Sequence, residues 1–145
     1  MAESAKPLPR VTSVTQPYWE AAAQKRLVIQ QCLKCEEYVW CPRPACTECG
    51  ANQLEWKAVS GRGTVFSFTI IRQVIARGAA AFEKEIPYIV AWIDLEEGPR
   101  LCSNVVDCPM DQITIGMPVE VEFDEASPEI FLPMFRPRSG AITGS

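Results

Sequence analysis

The hydrophobic alternation is clearest late in the chain. In PVEVEFDE (118–125), Val119, Val121 and Phe123 alternate with Glu120, Glu122 and Asp124. A period of two places the apolar set on one face of a strand and the acids on the other. YIVAWIDL (88–95) and LCSNVV (101–106) flank EEGPR (96–100), which reads as a hairpin. TVFSFTIIRQVI (64–75) is long and rich in β-branched and aromatic residues, with Phe66 and Phe68 expected to be the inward pair. ARGAAAFEKEIP (76–87) reads as a loop and DCPMDQITIG (107–116) as a short turn or half-helix, and EIFLPMFRP (129–137) closes the set. Five strands after residue 63 predict a small OB-type barrel, with an open meander or small sandwich as the alternative.

The first half has a different rhythm. Residues 1–14 carry Pro7 and Pro9 and no period, as in an extended arm. TQPYWEAAAQKR predicts a short helix, with Thr15 as N-cap and Pro17 in the first turn. Glu20 then sits near the positive end of the dipole, and Lys25 and Arg26 near the negative end. LVIQQC (27–32) and QLEWKAV (53–59) read as strands, and SGRG (60–63) as a turn. The expected division is an arm and helix over 1–25, a metal ribbon over 26–59, a barrel over 60–137 and a loose tail over 138–145.

Between those early strands lies CLKCEEYVWCPRPACTECG, with five of the seven cysteines. Cys32, Cys35, Cys46 and Cys49 form C-x2-C-x10-C-x2-C. Two residues between cysteines let one tight turn aim both sulfurs at one point, and two such turns make a tetrahedral four-thiolate cage. Zn²⁺ is the expected occupant, one per chain, with iron as the minor alternative. A four-thiolate cage leaves no open position, so the site is structural. Gly50 follows the second pair, where a positive φ is often needed. Glu36 holds the matching place after the first pair. Cys41, at C-x5-C spacing from Cys35, fits the turn geometry less well and reads as a small apolar residue packing in the ribbon. Cys102 and Cys108 read as buried structural thiols.

Composition narrows the chemistry. Apolar residues make up 48% of the chain and charged residues 22%, a balance typical of a globular domain. No apolar run approaches the ~20 residues of a membrane span. The start, MAESAKPLPR, lacks the apolar core of a secretory signal, so a cytoplasmic protein with reduced thiols is expected. Histidine is absent, which removes Ser-His and Cys-His pairs and any imidazole base. The net charge is −4. Residues 24–63 hold six basic and four acidic residues, and residues 64–138 hold six basic and twelve acidic ones. A nucleic-acid binder usually shows a stronger basic excess.

Helix, zinc ribbon and OB barrel in this order resemble the DUF35 family of OB-fold proteins with a rubredoxin-like zinc ribbon. The resemblance is carried by PYWEAA (17–22), RLVIQQCLKC (26–35), PRPACTECG (42–50), SGRGTVFSFT (60–69), PYIVAWIDLEEGPRL (87–101) and IGMPVEVEF (115–123). Glu36, where glycine is common, and Cys41, where an aromatic or proline is usual, depart from it without touching the four ligands. The resemblance implies a non-catalytic accessory subunit. Its partner is a thiolase-fold enzyme: a thiolase, a lipid-transfer-like retro-aldolase or an acyltransferase. The assembly is a hetero-oligomer around a thiolase-like dimer, with an acyl-CoA thioester as the shared ligand.

Within that frame, Arg43, Lys57 and Arg62 on the mildly basic ribbon are candidates for CoA phosphates. Arg72, Arg77, Phe82 and Lys84 in the 72–87 loop are candidates to close over the nucleotide. Tyr18, Trp19, Phe131, Met134 and Phe135 are candidate docking residues, since aromatic anchors are enriched at interfaces. Solvated loop charges and internal packing are the plainer readings of both groups. The alternative function is a nucleic-acid-binding module, as OB folds and zinc ribbons both serve that role; the acidic barrel argues against it. A stand-alone enzyme lacks a positioned acid–base pair, since Asp94, Glu96 and Glu97 flank a turn.

Overall fold

A computed structural model describes residues 8–74 and 80–138. The helix α1 spans Gln16–Ala23 and is followed by eight strands. These are β1 (Val28–Cys32), β2 (Tyr38–Val39), β3 (Leu54–Ala58), β4 (Arg62–Ile71), β5 (Tyr88–Leu95), β6 (Arg100–Val105), β7 (Pro118–Glu125) and β8 (Phe131–Pro137). A 3-10 helix, Ala80–Glu85, occupies part of the segment read from sequence as a loop. Among the described residues, no helix is long and apolar enough to cross a membrane.

Thr15 stands at the N-cap of α1, yet its hydroxyl makes no capping bond to the helix. It is engaged instead with Thr12, whose backbone N–H donates to it at 3.0 Å. Lys25 takes a positive φ of 61°, so the helix stops before the two basic residues can join its last turn. α1 packs on β1 and β8. Tyr18, Ala21, Leu27, Val28 and Ile29 share one core with the barrel residues Val65, Ile89, Ile93, Val119 and Phe135.

The strands form two sheets. One is three-stranded in the order β2-β1-β3, and the other closes as β4-β5-β6-β8-β7. Every barrel pairing is antiparallel except β6 with β8, which meet in parallel at Val105 and Phe135. This is the OB order, and it settles the barrel against the open meander. Gly63 closes the barrel at close range. A methyl group there would collide with the backbone carbonyl oxygen of Asp94 on β5.

In β7, Val119 is fully buried and Val121 and Phe123 pack against the core, as their alternation predicts. The expected inward pair in β4 is corrected. The pairing of β4 with β5 slips between Val65 and Ser67. This bulge leaves Phe66 46% exposed while Val65 is 1% exposed. One extra residue switches the face a strand presents. Phe66 then lies under the Arg100 guanidinium, 3.4 Å from its ring centroid, and Phe68 packs partly against the core.

Candidate metal centre and the other predicted site residues

The two cysteine turns repeat each other. After the first pair, Glu36 donates its N–H to the Cys32 carbonyl at 2.9 Å; after the second, Gly50 donates to the Cys46 carbonyl at 3.0 Å. Glu36 has φ 64° and Gly50 φ 78°, so both stand in the left-handed region. The first turn thus accepts the small strain of a non-glycine residue there. Return bonds close each turn, from Cys32 N–H to Glu37 O at 2.9 Å and from Cys46 N–H to Ala51 O at 2.7 Å.

These turns bring the four sulfurs within 4.8 Å of one another. Cys32 Sγ lies 3.6 Å from Cys49 Sγ, and Cys35 Sγ lies 3.6 Å from Cys46 Sγ. A disulfide would need about 2.0 Å, whereas a tetrahedron with Zn–S bonds of about 2.3 Å has edges of about 3.8 Å. The donor set and its spacing therefore fit a structural zinc. Backbone amides aim at the sulfurs: Lys34 and Cys35 toward Cys32 at 3.4 Å, and Glu48 toward Cys46 at 3.3 Å. The Cys35 amide, first, and that of Lys34 pull the Cys32 thiol down to about 6 against the opposing effect of burial. Cys46 is lowered in the same way, first by the Cys49 amide. At Cys35 the Glu37 amide also favours the thiolate, but burial and the crowd of neighbouring sulfurs outweigh it and hold the thiol up at about 12. Four negative sulfurs at this spacing need a cation to coexist. Cys41 lies outside the cluster, and the expectation that it packs in the ribbon is corrected: it is exposed. Of the two thiols expected to be buried, Cys108 is buried and Cys102 is exposed.

Gln30 is a structural residue that sequence reading missed. It is 5% exposed. Its amide donates to the Arg43 carbonyl at 2.8 Å and its oxygen accepts the Arg43 N–H at 2.7 Å. One strand side chain thus stands in for a partner strand and pins the loop between the cysteine pairs. Gln30→Leu leaves both Arg43 groups unpaired and is expected to cost about 1–3 kcal/mol in urea denaturation. An unchanged midpoint would count against that role.

The remaining candidates separate. The Arg43 side chain is exposed on the ribbon loop. Lys57 pairs with Glu55 at 3.2 Å. Arg62 is held by Glu96 at 3.2 Å, and Arg138 approaches the same carboxylate at 3.7 Å. Arg72 and Lys84 are exposed on the connection between β4 and β5, and Phe82 stands 6.1 Å from the Tyr88 ring. Arg77 lies outside the described residues. Of the docking candidates, Tyr18 is 7% exposed and Phe135 0%, so both are committed to this chain's own core. Tyr18 packs against Trp19, Trp40 and Trp56, and burial, then the nearby Cys41, pushes its phenol pKa up. Trp19, Phe131 and Met134 keep part of their surface.

The Arg62 hydrogen bond holds the Glu96 carboxyl below the ordinary range against burial, with smaller help from Arg138 and Ser60. A carboxyl lowered on folding supports the fold above its unfolded pKa and loses that support as pH falls through the folded value. Wild type is therefore expected to melt above Arg62→Ala at neutral pH, and the gap is expected to close on acidification. A gap independent of pH would contradict this.

The fold and the four-thiolate cage define a zinc-ribbon OB-fold protein, and comparison with known proteins agrees. Residues 19–55 match the model of the ChsH2 rubredoxin-like zinc ribbon domain, and residues 56–124 that of the ChsH2 C-terminal OB-fold domain. A "DUF35 domain-containing scaffold protein" of Methanothermobacter thermautotrophicus is 34% identical over 113 residues, 77% of this chain and 82% of that one. A "probable enoyl-CoA hydratase alpha subunit" of Thermomonospora curvata is 39% identical over 132 residues. That match covers 91% of this chain but only 40% of the relative's length. Among solved structures, a chain described as "Ltp2-ChsH2(DUF35) aldolase" superposes with a TM-score of 0.78 at 39% identity, covering 90% of this chain and 98% of that one. The chain belongs to the DUF35 family, as the resemblance of its motifs implies.

Proposed function

We propose that this chain is a non-catalytic accessory subunit of a thiolase-fold enzyme and helps form or order that enzyme's acyl-CoA pocket. The observation that carries the reading is the match, over 98% of its length, to the DUF35 chain of an aldolase assembly. The match takes in both the ribbon and the barrel, 90% of this chain. The chemistry of the chain supports the same reading. It has no histidine, and its thiolate cage offers no open coordination position. Its densest carboxylates are engaged: Asp94 accepts from Arg100 at 2.6 Å, and Glu96 from Arg62. Arg43, Arg72 and Lys84 are the exposed cations proposed to meet CoA phosphates. Lys57 and Arg62 would first have to leave their carboxylates, and Lys84 too has an interaction to exchange. Trp19 and Phe131 are proposed to dock the enzyme.

The test is reconstitution. The thiolase-fold enzyme recovered with this chain is assayed for acyl-CoA turnover alone, with the chain added, and against the chain by itself. Turnover is expected to rise at least tenfold on mixing, with none from the chain alone. Full activity of the isolated enzyme, or turnover by the isolated chain, would overturn the proposal.

One observation favours a second reading. Trp92 is 49% exposed beside Phe66 on the outer barrel face, where OB folds stack nucleobases. Its cross-strand neighbours are Ser67 and Cys102, and the nearby Arg100 is already held by Asp94 and covers the Phe66 ring. Oligonucleotide binding at low salt that Trp92→Ala abolishes would make this the leading function.

A further inference from the structure

A cleft of about 1030 Å³ opens at one end of the barrel, between the connection preceding β5 and the turn joining β7 to β8. Its apolar wall is built by Phe82, Tyr88, Met110, Phe123, Leu132 and Met134. Its charged lining is acidic: Glu85, Asp107, Glu122, Asp124 and Glu125, with no lysine or arginine among the described residues. Elsewhere the barrel's acids carry cations of their own, as in Asp94–Arg100, Glu96–Arg62 and Glu120–Arg136. Among the described residues, Asp107, Glu122, Asp124 and Glu125 form no ion pair. Carboxylates gathered around a concave, apolar wall focus a negative potential into it. Such a cleft repels the phosphates of CoA and nucleic acids. Its complement has apolar side chains flanked by positive charge.

We propose that this cleft docks an apolar segment flanked by lysines or arginines, supplied by the enzyme subunit the chain accompanies. The source of the segment rests on the accessory-subunit reading; its chemistry rests on the cleft. The phenylalanines, methionines and leucine supply an adaptable apolar contact, and the acidic rim selects the charge and speeds encounter. Leu8 lines the cleft as well, so the stretch preceding it in this chain is the rival occupant.

The test uses the full zinc-loaded chain and two fluorescein-labelled twelve-residue peptides. One is leucine and phenylalanine flanked by lysines, and the other has glutamate for every lysine. Anisotropy titration at low salt is expected to show binding of the lysine peptide and none of the glutamate peptide. Asp124→Lys with Glu125→Lys is expected to weaken binding at least tenfold. The milder Asp124→Asn with Glu125→Gln is expected to weaken it several-fold while keeping the zinc content and melting temperature of the parent. Glu20→Lys with Glu37→Lys makes the same charge change far along the sequence and is expected to leave binding unaltered. No binding of the lysine peptide, equal loss in the control variant, or binding that appears only after deletion of residues 1–7 would overturn the proposal, the last by making the arm the occupant. Carbodiimide coupling of the recovered complex then decides the source. Bonds from Glu122, Asp124 or Glu125 to the enzyme's lysines are expected, and bonds confined to other faces would overturn enzyme docking. If no enzyme partner exists, the accessory reading and the assigned source fall, while the peptide titration still decides the cleft's chemistry.

Discussion

Cys46→Ser is expected to empty the metal site and unfold the ribbon while Cys41→Ser leaves both intact. The reason lies in the small size of the ribbon's own core. Its buried cluster consists of Cys32, Val39 and Cys46, with Cys35, Ala51 and Leu54 partly buried around it. Two of those three buried side chains belong to the four-cysteine cluster, so little apolar burial remains to hold the segment once a metal there is lost. Structural zinc contributes about 10–16 kcal/mol to such folds near neutral pH, far beyond what a few small side chains supply. Serine keeps the size of the side chain but is a poor zinc ligand. Zinc per chain is expected to fall from one toward zero. Tryptophan emission is expected to shift to the red, because Trp40 and Trp56 pack around Tyr18 where the ribbon meets α1. Strong chelation of the parent protein is expected to give the same spectrum. A Cys46→Ser protein that retains zinc and the parent melting curve would contradict the structural role of the site.

Phe135→Ala is expected to cost about 3–5 kcal/mol, the range for removing a fully buried aromatic ring. Phe135 is 0% exposed. It faces Val121 across the antiparallel pairing with β7 and Val105 across the parallel contact with β6. Its carbonyl also accepts the Val106 N–H at 2.7 Å. It stands where the last strand closes the barrel, so the cavity left behind borders three strands that cannot move together without opening it. For a domain whose whole stability is of order 5–15 kcal/mol, the loss brings the midpoint of urea denaturation sharply down. The variant also separates the two roles a C-terminal aromatic can have. A docking residue would weaken a complex and leave the free chain stable, whereas Phe135→Ala is expected to destabilise the free chain itself. A change below about 1 kcal/mol would contradict its place in the core.

The metal site was legible because its information is local. Two C-x2-C pairs and the residues after them specify the turns, and the structure places Glu36 and Gly50 in matching conformations. The hairpin over 88–106 and the strand over 118–125 were legible for a similar reason, since each carries its period within one short segment. What failed was set at long range. The bulge at Phe66 depends on how β4 must pair with both β5 and β7, and no residue in TVFSFT announces it. The two-residue strand β2 is too short for any period. Tyr18 and Phe135 have the side chains of docking anchors, and only packing shows that they are used inside. Arg62 reads as a free cation until the fold brings Glu96 beside it, 34 residues away. Three of the cleft's acids, Glu122, Asp124 and Glu125, stand together in β7 and were legible as an acidic strand; that they border a cleft with Glu85 and Asp107, under an apolar wall drawn from β5, β7, β8 and the connections before β5 and after β6, is set only by the fold.

The central claim, that this chain works as the non-catalytic member of a thiolase-fold enzyme assembly, is tested most directly by affinity purification of the tagged chain from its native extract, with native mass spectrometry and zinc analysis of what is recovered. The account predicts a hetero-oligomer containing a thiolase-fold protein in near-equal amount, built around that protein's dimer, with one zinc for each copy of this chain. Zinc-loaded chain recovered without such a protein, and with RNA or DNA in its place, would contradict the account and move the function to the exposed Trp92 face.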